Sequence, residues 1–125
     1  TKVKLPENFS IKWLGYLQKS EVARVLNNSG FFLHASELET FSIVTAEALA
    51  TGTPVMVSNI GALPELVNEN NGLLVENNLH EWIAGLKRII KINYNKKEIA
   101  EKIAFKYSPE SIAEKINSVY KSLTS

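Results

Sequence analysis

Two glutamates, Glu39 and Glu47, stand with seven residues between them in the stretch richest in reactive side chains, Ser36 to Val55. That stretch follows a short apolar run, Phe31-Phe32-Leu33, which reads as a buried strand. Residues just after a strand of a parallel sheet lie at its carboxyl edge, where open α/β folds bind ligands. Ser42 to Ala50 is rich in Ala and reads as a helix that Gly52 terminates. The backbone of Phe41, Ser42 and Ile43 would open that helix, and its unpaired N–H groups and positive dipole end suit a diphosphate. Glu39 then sits in the loop before the helix and Glu47 about two turns inside it. A loop carboxylate can face a sugar, and one further along can accept hydrogen bonds from ribose hydroxyls. Two solvated acids near a helix start would satisfy the same spacing, because the dipole favours acid there.

The elements that must hold these residues alternate strand and helix patterns, which predicts βα units and a parallel sheet. Phe9 to Leu14 alternates and ends at Gly15, a strand followed by a turn. Ser20 can cap a helix carrying Val22 and Leu26. Pro54 to Val57 makes a buried strand with Pro at its first position, where the missing N–H costs least. Ala62 to Val67 fits one or two helical turns, and Gly72 to Val75 a fourth strand. From Leu79 onward three apolar stripes recur at helical spacing, the last running through Ile112, Ile116, Val119, Tyr120 and Leu123. Ser108-Pro109 supplies a cap and a first-turn proline for it. The chain reads as one α/β domain over 1–125, with 79–125 its carboxy-terminal helices. The stripes are assigned to packing, and Trp13 and Trp82 to the core.

Composition narrows the chemistry. The chain has no cysteine, hence no disulfide framework and no thiolate nucleophile or metal site. It has no aspartate either, which disfavours carboxylate-rich divalent sites. A net charge of +1 argues against a dedicated nucleic-acid binder. No apolar run approaches the roughly 20 residues that span a bilayer, and Thr1-Lys2-Val3-Lys4 begins no secretory signal. A cytoplasmic setting is expected. Residues 80–125 hold nine Lys/Arg against five Glu, reversing the acidic balance of residues 1–79. The ordinary reading of that tail is a solvated face; the alternative is peripheral contact with an anionic membrane surface.

The frame Ser36-x-x-Glu39-x-Phe41, followed by Glu47-Ala48-x-Ala50-x-Gly52-x-Pro54-Val55, resembles family 4 glycosyltransferases of the GT-B fold. Ser58-Asn59-Ile60-Gly61-Ala62-Leu63-Pro64-Glu65 matches that family's S-x-x-G-G-x-P-E, and Asn71 to Val75 its N-G-x-L-V. Trp13-Leu14-Gly15-Tyr16, Tyr107-Ser108-Pro109 and Tyr120 extend the resemblance to roughly residues 11 to 120. It implies the carboxy-terminal, donor-binding half of a retaining, metal-independent hexosyltransferase, with a Rossmann-like sheet truncated at its amino-terminal side. The donor would be a nucleoside-diphosphate sugar of UDP or GDP type, with no cofactor and no metal. The acceptor would be a glycan, lipid or other molecule, in bacterial polysaccharide or cell-envelope biosynthesis. An absent amino-terminal acceptor-binding domain is its expected partner, and the fragment alone is expected to be inactive.

By position, the resemblance implies that Glu39 orients or stabilises the sugar at its anomeric centre. It gives the diphosphate to the backbone of Phe41, Ser42 and Ile43, the ribose to Glu47, and the base to the neighbourhood of Tyr16. Gly61 lets the backbone turn closely beside the site, and His34 at a strand end lines the pocket or acts in acid/base work. This chain departs where Thr40, Ser42 and Ala62 replace the family's usual glycines. The family's basic pair is absent from the chain, and neither Lys12 nor Lys19 stands in its motif. These departures leave two alternatives: a non-catalytic binding module of the same fold, or a nucleotide-sugar epimerase.

Overall fold

The structure, a computed structural model, describes residues 7, 8, 10–39 and 42–124. Its centre is a three-stranded parallel sheet of β1 (Phe32–His34), β2 (Val55–Ser58) and β3 (Gly72–Val75), in that order. β2 pairs on both sides, with Met56 opposite Leu33 and Leu73. All four of its residues are buried, as a strand covered on both faces requires.

Alternation along β2 builds two cores. Val55 and Val57 face one way, among Leu26, Ala48, Leu49, Leu63, Ile99 and Ile103. These come from α1 (Lys19–Asn27), α2 (Ile43–Ala50), α3 (Leu63–Leu66) and α5 (Lys96–Lys106). Met56 faces the other way, with Val75, Ile89, Trp82 and Leu86. The last three belong to α4 (Leu79–Ile89), which covers that face. α6 (Pro109–Thr124) follows and packs against α5.

Short polar residues start the helices. Ser42 Oγ accepts the Thr45 N–H at 3.2 Å, Asn78 Oδ1 that of Glu81 at 2.9 Å, and Ser108 Oγ that of Ser111 at 3.2 Å. Each satisfies a donor that the helix itself leaves unpaired.

Four expectations are corrected. The sheet has three strands, because residues 10–14 pair with no strand among the described residues; Phe9 lies outside them. An alternating segment without a ladder partner has no strand to be, so Ile11 stays 72% exposed. Trp13, expected in the core, is 91% exposed for the same reason. α1 is capped by Gln18, whose backbone N–H donates to the Glu21 carboxylate at 3.4 Å, and Ser20 falls inside the helix. The α6 stripe is periodic but unburied, with Ile116, Val119 and Leu123 all exposed.

Candidate functional site

The loop that follows β1 is held from three sides. The Ser36 N–H donates to Ser58 Oγ at 2.8 Å, and that hydroxyl donates to Asn77 Oδ1 at 2.6 Å. Asn77 Nδ2 closes the circuit by donating to the Ser36 carbonyl at 2.6 Å. One hydroxyl at the end of β2 and one amide just after β3 thus fix the exit from β1. Ser58 is fully buried, so its two hydrogen bonds form away from water, where leaving either partner unmade is costly.

Further along this loop Glu39 folds back onto the strand it left. His34 Nε2 lies 3.2 Å from Glu39 Oε2, both side chains being largely buried. The imidazole stacks on Phe32, ring centroids 6.0 Å apart and planes within 13°, which fixes the ring that holds the carboxylate. Gly61, in a left-handed conformation at φ 55°, lies against the Glu39 carbonyl, where a Cβ would overlap the oxygen. No other residue type allows both that dihedral and that approach. His34, Glu39 and Gly61 are therefore in contact around the Glu39 loop.

α2 opens close by in sequence. Ser42 is 3% exposed and caps it, its hydroxyl also 2.7 Å from Thr45 Oγ1. Ile43, the first helical residue, is 67% exposed. Ser42 occupies the Thr45 N–H, and the Ile43 and Val44 N–H groups have no hydrogen-bond partner among the described residues. Phe41 and Thr40 lie outside the described residues. Glu47 projects from the second turn of α2 and, with Lys19 and Ala23 of α1, lines a cavity of about 230 Å³. Tyr16 is 93% exposed in the segment before α1, and no hydrogen bond among the described residues joins it to the rest.

Sequence reasoning missed Asn77 and the tie from Ser58 to Ser36. The available signal was positional: each polar residue stands at, or just after, the carboxyl end of a strand. Among the described residues no group of three or more His or Glu side chains is arranged to hold a metal. No described helix is long and apolar enough to cross a membrane. The arrangement has one carboxylate, Glu39, held in place three residues before the Ser42 cap of α2, and a second acid, Glu47, on α2 itself. Such a pair can orient a hydroxyl-rich, negatively charged ligand.

Comparison with known proteins finds the same class. A family model described as glycosyl transferases group 1 matches residues 4–107. An uncharacterized glycosyltransferase of Methanocaldococcus jannaschii is 32% identical over 121 residues, covering 89% of this chain and 30% of that protein. A subunit of the human phosphatidylinositol N-acetylglucosaminyltransferase is 31% identical over 80 residues, covering 64% of this chain and 16% of its own length. Among solved structures, sucrose-phosphate synthase from Thermosynechococcus elongatus superposes with a TM-score of 0.71 at 26% identity, over 90% of this chain and 30% of that one. The chain thus spans less than a third of the length of each of these relatives.

Proposed function

The chain belongs to the glycosyl transferases group 1 family, and from that premise we propose that it binds the nucleoside-diphosphate sugar of a retaining glycosyltransferase. The observation that carries this reading is the Glu39 loop, fixed by His34 and Gly61, three residues ahead of the Ser42 cap of α2. The diphosphate sits on the Ile43 and neighbouring N–H groups, where the dipole contributes about 0.3–1 kcal/mol when exposed and up to about 2 when partly buried. Glu39 faces the anomeric centre, Glu47 accepts from the ribose hydroxyls, and Tyr16 meets the base. His34 sets the position of the Glu39 carboxylate. Donors aimed in advance at the charge that grows on the leaving phosphate are the main source of rate.

The donor is of UDP or GDP type and carries a hexose-type sugar; the name of the N-acetylglucosaminyltransferase relative supports the sugar class. The reaction uses neither metal nor cofactor. In the full-length protein an amino-terminal domain presents the acceptor, a glycan or lipid of bacterial polysaccharide or cell-envelope synthesis. The protein works in the cytoplasm, with segment 80–125 a solvated basic face.

Calorimetry with UDP and GDP tests the reading. One of the two binds, and Glu47→Ala weakens it by about tenfold, the cost of one hydrogen-bonded charge. If neither nucleotide binds at millimolar concentration, the chain is a non-catalytic module of this fold.

A further inference from the structure

A second cavity opens at the same sheet edge, on the side away from Glu47. It measures about 410 Å³ and lies between the loop after β1 and the start of α4, within the roughly 300–1,000 Å³ range of small-molecule sites. Two of its lining residues, Ser36 and Asn77, are already tied together through the buried Ser58 hydroxyl. It is therefore formed before any ligand arrives. Trp82 and Leu79 of α4 and Glu37 of the loop after β1 are also among its lining residues. Trp82 Nε1 is directed to Asn77 Oδ1 at 3.4 Å, so the indole is anchored by its polar end. Leu79 is 77% exposed although it lies in the first turn of α4.

The lining selects a chemical class. Among the described residues no lysine or arginine borders the cavity, and Glu37 does, so a phosphate is disfavoured there by the charge of the lining. An anchored aromatic surface beside apolar Leu79 suits the C–H face of a pyranose ring. An ionised carboxylate accepts from two hydroxyls at once, and the Asn78 amide nitrogen can donate to a third. We propose that this cavity is a saccharide subsite that takes the uncharged sugar ring of the acceptor. It would be a contact contributed by this half of the enzyme beyond those of the amino-terminal domain. The inference rests on the donor-site reading above. Glu37 and Glu39 share one short loop, so an acceptor ring against Glu37 and a donor sugar against Glu39 would be neighbours.

The test uses the intact protein and saturation-transfer NMR with methyl glycosides of glucose, galactose, mannose and N-acetylglucosamine, alongside calorimetry with UDP and GDP. At least one glycoside binds. Glu37→Ala, an exposed position that leaves the fold alone, weakens it by about tenfold. Trp82→Phe weakens it further, and nucleotide binding is unchanged in Glu37→Ala. If UDP or GDP binds but no glycoside does, the subsite is overturned and the donor reading stands. If glycoside binding survives both cavity substitutions yet falls in Glu39→Gln, the sugar is in the donor site and the subsite is again overturned. If neither nucleotide nor glycoside binds, the donor reading fails and takes this inference with it.

Discussion

Gly61 gives the sharpest test of how the Glu39 loop is held. Adding a single methyl group by Gly61→Ala has two separable effects. The first is conformational: φ of 55° is a left-handed value that costs an L residue about 1–2 kcal/mol. The second is steric, because the new Cβ would overlap the Glu39 carbonyl oxygen, and contacts under 3.0 Å are essentially never seen for real Cβ atoms. The neighbour is backbone, so the overlap cannot be relieved by a side-chain rotation. Either the Gly61 turn or the loop carrying Glu39 must move, by roughly 1 Å, a misplacement that can lower a reaction rate about 10²-fold.

Gly15 separates the two effects. Its φ of 66° lies in the same region, yet a Cβ there meets nothing within 4 Å. Gly15→Ala therefore carries the conformational cost alone. Urea denaturation should show a loss of about 1 kcal/mol for Gly15→Ala and a larger one for Gly61→Ala. Nucleoside diphosphate release from UDP- or GDP-sugars, measured in the full-length protein, should fall about 10²-fold in Gly61→Ala. Calorimetric binding of the nucleotide should change little, because Ile43 and Glu47 are not on the displaced loop. Equal stabilities for the two alanine variants, or release within about threefold of the parent, would refute the claim that Gly61 sets the Glu39 position.

Ser58→Ala removes the hydroxyl that joins Ser36 to Asn77 and should destabilise the protein by about 1–3 kcal/mol, read as a lower urea midpoint at unchanged slope. Thr53, also fully buried, donates from Oγ1 to the Leu26 carbonyl at 2.6 Å. Thr53→Val should lower the same midpoint by a similar amount, about 1–3 kcal/mol, without affecting nucleotide binding. Burial pushes the Tyr94 hydroxyl above its ordinary pKa, with Arg88 opposing; burial also pushes Tyr107 up, with Glu65 adding to it. A raised folded-state value means stability fully present below the unfolded pKa of 10.0 and lost as pH climbs through the folded one. Melting temperatures should hold to pH 9–10 and fall beyond, roughly where free tyrosine ionises. The Tyr94 hydroxyl is buried with no partner among the described residues, so Tyr94→Phe should stabilise by about 1 kcal/mol and flatten the alkaline decline.

The parts of this fold that were legible are those whose patterns are complete within themselves. β2 is apolar at nearly every position because both its faces are covered, and α2 carries its Ser42 cap and its Gly52 stop. Residues 10–14 and α6 depart from their patterns for one shared reason. Alternation or a helical stripe states which face demands cover, and says nothing of whether cover is there. Hence Trp13 and Leu123 are both exposed at the ends of well-formed patterns. The candidate site divides in the same way. Glu39 was readable from its place between a strand and a helix cap. The anchoring of its loop at Ser36 was not, because that anchor crosses 22, 19 and 41 residues of sequence in three successive hydrogen bonds. Hydrogen bonds between a serine, an asparagine and a backbone N–H leave no periodic mark. What they do leave is a residue type at a topological position: Ser36 soon after β1, Ser58 closing β2, Asn77 soon after β3. In a parallel sheet all three positions converge on one edge, so the small polar residues ending successive strands identify the loop that is held, and with it the acid that the loop carries.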